Sequence, residues 1–187
     1  MKFLLKIASG IDSFSEKTGT VISWLSLLMV LVTAFNAIAR YASKYIGADF
    51  SSNAFIELQW YMFSAIFLLG ACYTLKHGGH VRVDLVYNHV SARTRCWINL
   101  VGTILLLLPF CCLMIWASFP SVRSSWHVWE QSSDPGGLPR YPIKTLVPIA
   151  FIFLGAQGLS EMVKNIARLK GFLPLEEQVD ADAGEVA

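Results

Sequence analysis

The sequence predicts an all-α integral membrane protein built from four transmembrane helices. Four long segments, residues 19–39, 58–75, 96–122 and 145–160, contain no Asp, Glu, Lys or Arg. Hydrophobic residues make up 55% of the 187 and charged residues only 15%, a balance outside the range of soluble domains. The basic residues also gather at alternate ends of those segments. A hydrocarbon core about 30 Å thick takes roughly 20 apolar residues at about 1.5 Å per helical residue. The first three segments meet or nearly meet that length, and the fourth does so once Lys144 snorkels outward and Glu161 sits at the interface. The connections are too short to bury a core of their own, so no soluble domain is expected.

Residues 1–18 place Phe3, Leu4, Ile7, Ile11 and Phe14 at helical spacing with Lys and Asp between them, the pattern of an interfacial N-terminal helix. The first span follows at about 19–40. Lys2, Lys6 and Lys17 ahead of it, and Ala37-Ile38-Ala39 at its end, have the look of a signal peptide. The apolar run exceeds the roughly 7–15 residues of such a segment, however, so the span is expected to stay. A mixed-polarity connection leads to the second span at about 56–75. Gly78-Gly79 then breaks the chain before a short helix over 81–90, suited to lying on the membrane. The third span occupies about 96–119, with Pro109 expected to kink it as Pro148 does the fourth. The longest connection, 119–141, carries Trp126 and Trp129 and then the turn Asp134-Pro135-Gly136-Gly137-Leu138-Pro139. Pro142 suits the first turn of the fourth span, about 142–163, where a missing N–H costs nothing. Residues 171–187 are polar, acidic and expected to be disordered.

Lys and Arg set the orientation. Ten fall in the N-terminal segment, the 76–95 connection and the tail, against five (Arg40, Lys44, Arg123, Arg140 and Lys144) on the opposite side. The positive-inside rule puts both termini in the cytoplasm. Tyr41, Tyr45, Trp60, Tyr61, Tyr73, Trp97, Trp116 and Tyr141 mark the span ends, where amphipathic rings prefer the headgroup level. The net charge of +2 is dispersed at span ends and forms no patch for nucleic acid.

Few residues carry chemistry. His77, His80, His89 and His127 all fall in connections, whereas a bis-His haem needs ligands on facing helices at membrane depth. The cysteines lack metal-ligand spacing and read as small apolar fillers. No cofactor or metal is expected, and no hydrolase, zincin or nucleotide-binding motif is present, so the chain reads as no enzyme. Glu57, at the outer end of span two, either reaches the headgroups or pairs with a partner subunit. Asn36, Asn99 and Gln157 are amides suited to bonding across helices, and Ala156 and Ser160 form a small-xxx-small face. No inverted repeat of broken helices marks a self-sufficient transporter. A membrane redox subunit holding haem or quinone, or a free-standing small transporter, are the alternatives to an accessory subunit.

Glu57-Leu58-Gln59-Trp60, the run Phe67-Leu68-Leu69-Gly70-Ala71-Cys72-Tyr73-Thr74-Leu75-Lys76, and His80-Val81-Arg82-Val83-Asp84 together resemble the small membrane subunit, or Q component (DctQ-like), of tripartite ATP-independent periplasmic (TRAP) transporters. Glu130-Gln131-Ser132-Ser133-Asp134-Pro135-Gly136-Gly137-Leu138-Pro139 and Lys144 resemble the branch labelled for mannitol or chloroaromatic compounds. The resemblance covers roughly residues 10–170. It implies a bacterial inner-membrane scaffold subunit paired with a large permease (M component) and served by a periplasmic solute-binding protein. Uptake of an organic anion, a carboxylate by class, would be driven by a sodium or proton gradient coupled in the permease. It also marks Glu57, Trp60, Tyr73, Lys76, His80, Arg82, Asp84, Glu130, Asp134, Gly136, Gly137, Pro139 and Lys144 as candidate structural or subunit-interface positions. Arg82 is placed to meet lipid phosphates and Asp84 to serve a helix N-terminus.

Overall fold

A computed structural model of the chain describes residues 1–46, 52–79 and 90–174, all in helices and short connections. Helix α1 spans Lys2–Ile46, α2 Asn53–Lys76, α3 Ala92–Gly102, α4 Leu108–His127 and α5 Tyr141–Leu169. A π-helical turn, Thr103–Leu107, joins α3 to α4 without a break. Four helical stretches among these residues are long and apolar enough to cross a membrane: Lys2–Tyr45, Asn53–Lys76, Ala92–His127 and Tyr141–Leu169.

Local chemistry explains the ends. Ser52 caps α2 by accepting the Ala54 N–H at 3.2 Å, and Ser91 caps α3 by accepting that of Thr94 at 3.3 Å. Helix α2 stops where Gly78 takes φ +66°, so that the Gly78 and Gly79 N–H groups fold back onto the carbonyls of Leu75 and Thr74. The π turn sits immediately before Pro109, whose missing N–H disturbs the regular ladder, so the expected kink takes the form of a widened turn.

Two boundaries depart from the sequence reading. Residues 1–18 and the first span are one uninterrupted helix, about 67 Å long at about 1.5 Å per residue. The apolar stripe of that first segment stays largely exposed at Phe3, Leu4, Ile7 and Phe14, while Ala8 and Ser15 beside it are buried against the neighbouring helices and the edge of the Phe14 ring meets that of Phe153 on α5. The third span also continues past residue 119 to His127, with Pro120 inside the helix, which shortens the following connection to 128–140. A single proline removes one backbone bond. The helix ends instead where Trp129 adopts φ +48°. The 81–90 helix and the 171–187 tail lie largely outside the described residues.

Helix α5 is the hub. Helices α1 and α2 pack on each other and on α5, while α3 and α4 pack on α5 from elsewhere on its circumference. Its buried positions Ala150, Gly158, Ser160 and Ala167 are small, which lets neighbouring backbones approach closely. A Cβ on Gly158 would come within 2.7 Å of Leu107 in the π turn. Cys72, Cys96 and Cys111 are buried and free, as small fillers should be, and Cys112 is exposed.

Candidate functional site at the two ends of the helices

The 128–140 connection folds down onto the start of α2. Its base is closed by the Arg140 N–H donating to the Glu130 carbonyl at 2.9 Å, and Lys144 Nζ reaches Glu130 Oε2 at 2.5 Å. Arg140 donates to Ser133 Oγ at 3.1 Å. The tip is a tight turn in which the Gly137 N–H donates to the Asp134 carbonyl at 3.0 Å and Gly136 takes φ +73°, a conformation glycine adopts without a steric penalty.

Glu57 fills the hollow beneath. It is 5% exposed, accepts the Leu138 N–H at 2.5 Å and accepts the Ser132 hydroxyl. Asn53, one turn earlier on α2, donates to the Pro135 carbonyl at 3.1 Å, and Tyr61, one turn later, donates to that of Pro139 at 3.0 Å. The i, i+4, i+8 spacing puts all three on one face of α2, so the loop is held by a polar stripe about two turns long. A Cβ on Gly137 would lie 2.7 Å from Glu57 Oε2 and 2.5 Å from Ser132 Cβ; only glycine lets the loop close. The Trp126 indole N–H donates to Thr145 Oγ1 at 2.8 Å, and the rings of Trp126 and Trp129 pack on Tyr141 at 4.5 and 5.3 Å. These contacts hold Trp129 in its sparsely populated backbone conformation. The hydrogen bond from Lys144 is the main reason the Glu130 carboxyl lies below its ordinary range.

A second clamp ties α1, α2 and α5 together at their other end. Asp12 Oδ1 accepts from Ser160 Oγ at 2.8 Å and Gln157 Nε2 at 2.9 Å, and Oδ2 lies 3.1 Å from Lys164 Nζ. Ser15 donates to Gln157 Oε1 at 2.6 Å, with both side chains fully buried. Lys164 also pairs with Glu161. From α2, Lys76 donates to the Asp12 carbonyl at 3.2 Å and pairs with Glu16, whose Oε1 lies 2.8 Å from His77 Nε2. Charges at a membrane boundary are tolerated when each finds a partner, and here they staple three helices.

Both clamps fall largely within a stretch that matches a known family. The profile described as "Tripartite ATP-independent periplasmic transporters, DctQ component" matches residues 13–168. The chain belongs to this family. A relative is the ectoine TRAP transporter small permease protein TeaB of Halomonas elongata, 25% identical over 163 residues that cover 86% of this chain and 80% of that one. No solved structure matches. The protein is thus a TRAP small permease subunit, a multi-pass membrane protein from a family of transporter subunits.

The residues singled out in the sequence separate within this TRAP subunit. Glu57, Glu130, Gly136, Gly137, Pro139 and Lys144 converge in the loop clamp, and Asp134 enters it through its backbone. Lys76 belongs to the other clamp, and the Tyr73 ring lies over Gly19 of α1, where a Cβ would fall inside it. Trp60 points away from both, 67% exposed. His80, Arg82 and Asp84 lie outside the described residues. Gln157 bonds across helices, as expected of an amide in a span. Asp12, Ser15, Glu16, Lys164 and Asn53 are not among the candidates read from the sequence, and Tyr61 enters there only as an aromatic ring at a span end. On α2 and α5 the sequence signal for them is spacing: Asn53, Glu57 and Tyr61 share a face, as do Gln157, Ser160, Glu161 and Lys164. Among the described residues no group of three or more His, Cys, Asp or Glu side chains is arranged to hold a metal ion.

Proposed function

We propose that this TRAP small permease subunit is a rigid membrane scaffold for a large permease, the M component. That partner carries the substrate and coupling-ion sites and is fed by a periplasmic solute-binding protein. The observation that carries this reading is the division of the molecule's surface. Polar side chains of the helices turn onto one another in the two clamps, while Trp24, Leu31, Phe35, Phe63, Phe67 and Leu106 stand more than half exposed. A helical assembly stapled at both ends, with bare apolar flanks, suits a wall against which a moving partner slides, since helices in lipid associate through packing of such surfaces.

In this reading both termini face the cytoplasm and the 128–140 clamp faces the periplasm, supported by the ten-to-five distribution of Lys and Arg. The clamp there either meets the solute-binding protein or braces the permease surface that does. The transported solute is an organic anion, a carboxylate by class, taken up against its gradient by sodium or proton symport across the bacterial inner membrane. The relative from Halomonas elongata is named for ectoine. Purification of the tagged chain should bring down a much larger membrane protein in equal amount. Liposomes holding both should take up solute only with the binding protein and an ion gradient present. Transport by this chain alone would overturn the reading.

A further inference from the structure

An open-sided cavity of about 470 Å³ lies at the loop end of α4, lined by Phe119, Pro120, Arg123, Ser124, His127 and Val128. Arg123 and His127 stand four residues apart, so both lie on one face of the helix, and Ser124 lines the cavity with them. Of the basic groups at the start of α5, Arg140 is committed to Ser133 and Lys144 to Glu130. Arg123 and His127 have no hydrogen bond or ion pair among the described residues. Below them the floor is apolar. Phe119 is 61% exposed and Trp116 76%, and Cys112 continues the same stripe toward membrane depth. The uncharged run of the third span ends at Val122, so Arg123 stands at the headgroup level.

We propose that this cavity seats the phosphate of a membrane phospholipid. The Arg123 guanidinium takes the two unesterified phosphate oxygens in its planar fork, and the His127 ring N–H and the Ser124 hydroxyl donate to the remaining lone pairs of the same oxygens. An imidazole keeps at least one N–H in either protonation state, so the contact does not require a charged histidine. The acyl chains run down Phe119 and Trp116. That continuous apolar track favours a lipid over a polypeptide carboxylate, which would need polar partners for its own backbone. The proposal does not rest on the scaffold reading or on the orientation, because either leaflet supplies phosphate.

The full-length chain, purified in mild detergent with any permease that accompanies it, is titrated with phosphatidylglycerol and followed by native mass spectrometry. Wild type should bind one lipid about tenfold more tightly than the Arg123→Gln/His127→Gln variant, the scale of one bidentate charge-assisted contact. Arg123→Lys should retain part of that affinity, and Lys2→Gln/Lys6→Gln all of it. Equal affinity in wild type and the double variant overturns the proposal, as does an equal loss in the Lys2/Lys6 control. Displacement by millimolar inorganic phosphate would make this a free-anion site, and cross-linking of an Arg123→Cys variant to the large permease would make it a protein interface; either result overturns the lipid assignment. Should the double variant fail to fold, one equivalent of phosphatidylglycerol with brominated chains decides on otherwise native protein. It should quench fluorescence in wild type and less in Trp116→Phe; equal quenching overturns the proposal.

Discussion

A carboxylate near the end of an apolar span has two routes to low energy: it extends to the headgroups, or it finds donors inside the protein. Glu57 takes the second route and in doing so pins a loop more than seventy residues away, through Ser132 and Leu138. Its type and position suggested a special role, yet the donors come from a loop whose path no local pattern specifies. Replacing Glu57 with Ala should free the 128–140 connection and leave the helices intact. Limited proteolysis in the loop should quicken while circular dichroism stays unchanged; an equally resistant loop would contradict the clamp. Glu130 gives the clamp a pH dependence whose sign is set. Its carboxyl titrates below the ordinary 4.5 because Lys144 bonds to it. The stabilisation is therefore complete above that value and disappears as the pH falls through the lower, folded value. Fluorescence from Trp126 and Trp129, next to the loop, should hold steady from neutral pH down to the ordinary carboxylate range and change below it. In Glu130→Gln the change should be smaller, because only the Glu57 carboxylate is left to hold the loop.

The elements meet through small residues whose partners were hidden in the sequence. Gly19 opens the first uncharged segment and reads there as nothing more than a weak helix former. In the folded chain it is the floor on which the Tyr73 ring rests, and it sets how closely α1 and α2 approach. Gly19→Val should overpack that contact and destabilise the protein by about 1–3 kcal/mol. Adding Tyr73→Ala should recover much of the loss, because the ring that clashes is gone. Thermal or detergent-induced unfolding of the single and double variants measures the coupling, and additive effects would refute the contact. Residues 1–18 illustrate why such partners escape a sequence reading. Their apolar stripe stays largely exposed, and the side that packs on α5 carries Ala8, Asp12 and Ser15, which no apolar period marks. Only Asp12, a charge set between apolar positions, hinted that part of the segment would turn toward Gln157, Ser160 and Lys164.

At the scale of the molecule, helix α5 holds the other spans together, with α1 and α2 against it and α3 and α4 packed elsewhere around it. Such an arrangement leaves long apolar flanks bare, consistent with assembly against a second membrane protein. The orientation we propose rests on the distribution of Lys and Arg and is checked directly. Reporter fusions after residue 50 and within 125–135 should report periplasm, and fusions after residue 90 and at the C-terminus cytoplasm. A periplasmic C-terminus would reverse the assignment of both clamps.

The number of spans, their approximate limits and the expected sidedness came from composition and charge, because bilayer thickness and the cost of burying charge act on each segment separately. Family membership was legible in short runs such as Glu57–Trp60 and the glycine turn at 136–137, which stay readable without knowledge of what they touch. The tertiary structure decided which polar groups meet: Glu57 with Leu138, Asp12 with Ser160, Ser15 with Gln157. It also decided that the third span runs on to His127, that α1 is a single helix and that α5 is central. In lipid the hydrophobic effect does not choose among helix pairings, since tails and side chains are equally apolar. That choice falls to close packing at glycines and to a few hydrogen bonds between residues far apart in the chain, and neither has a period or a motif.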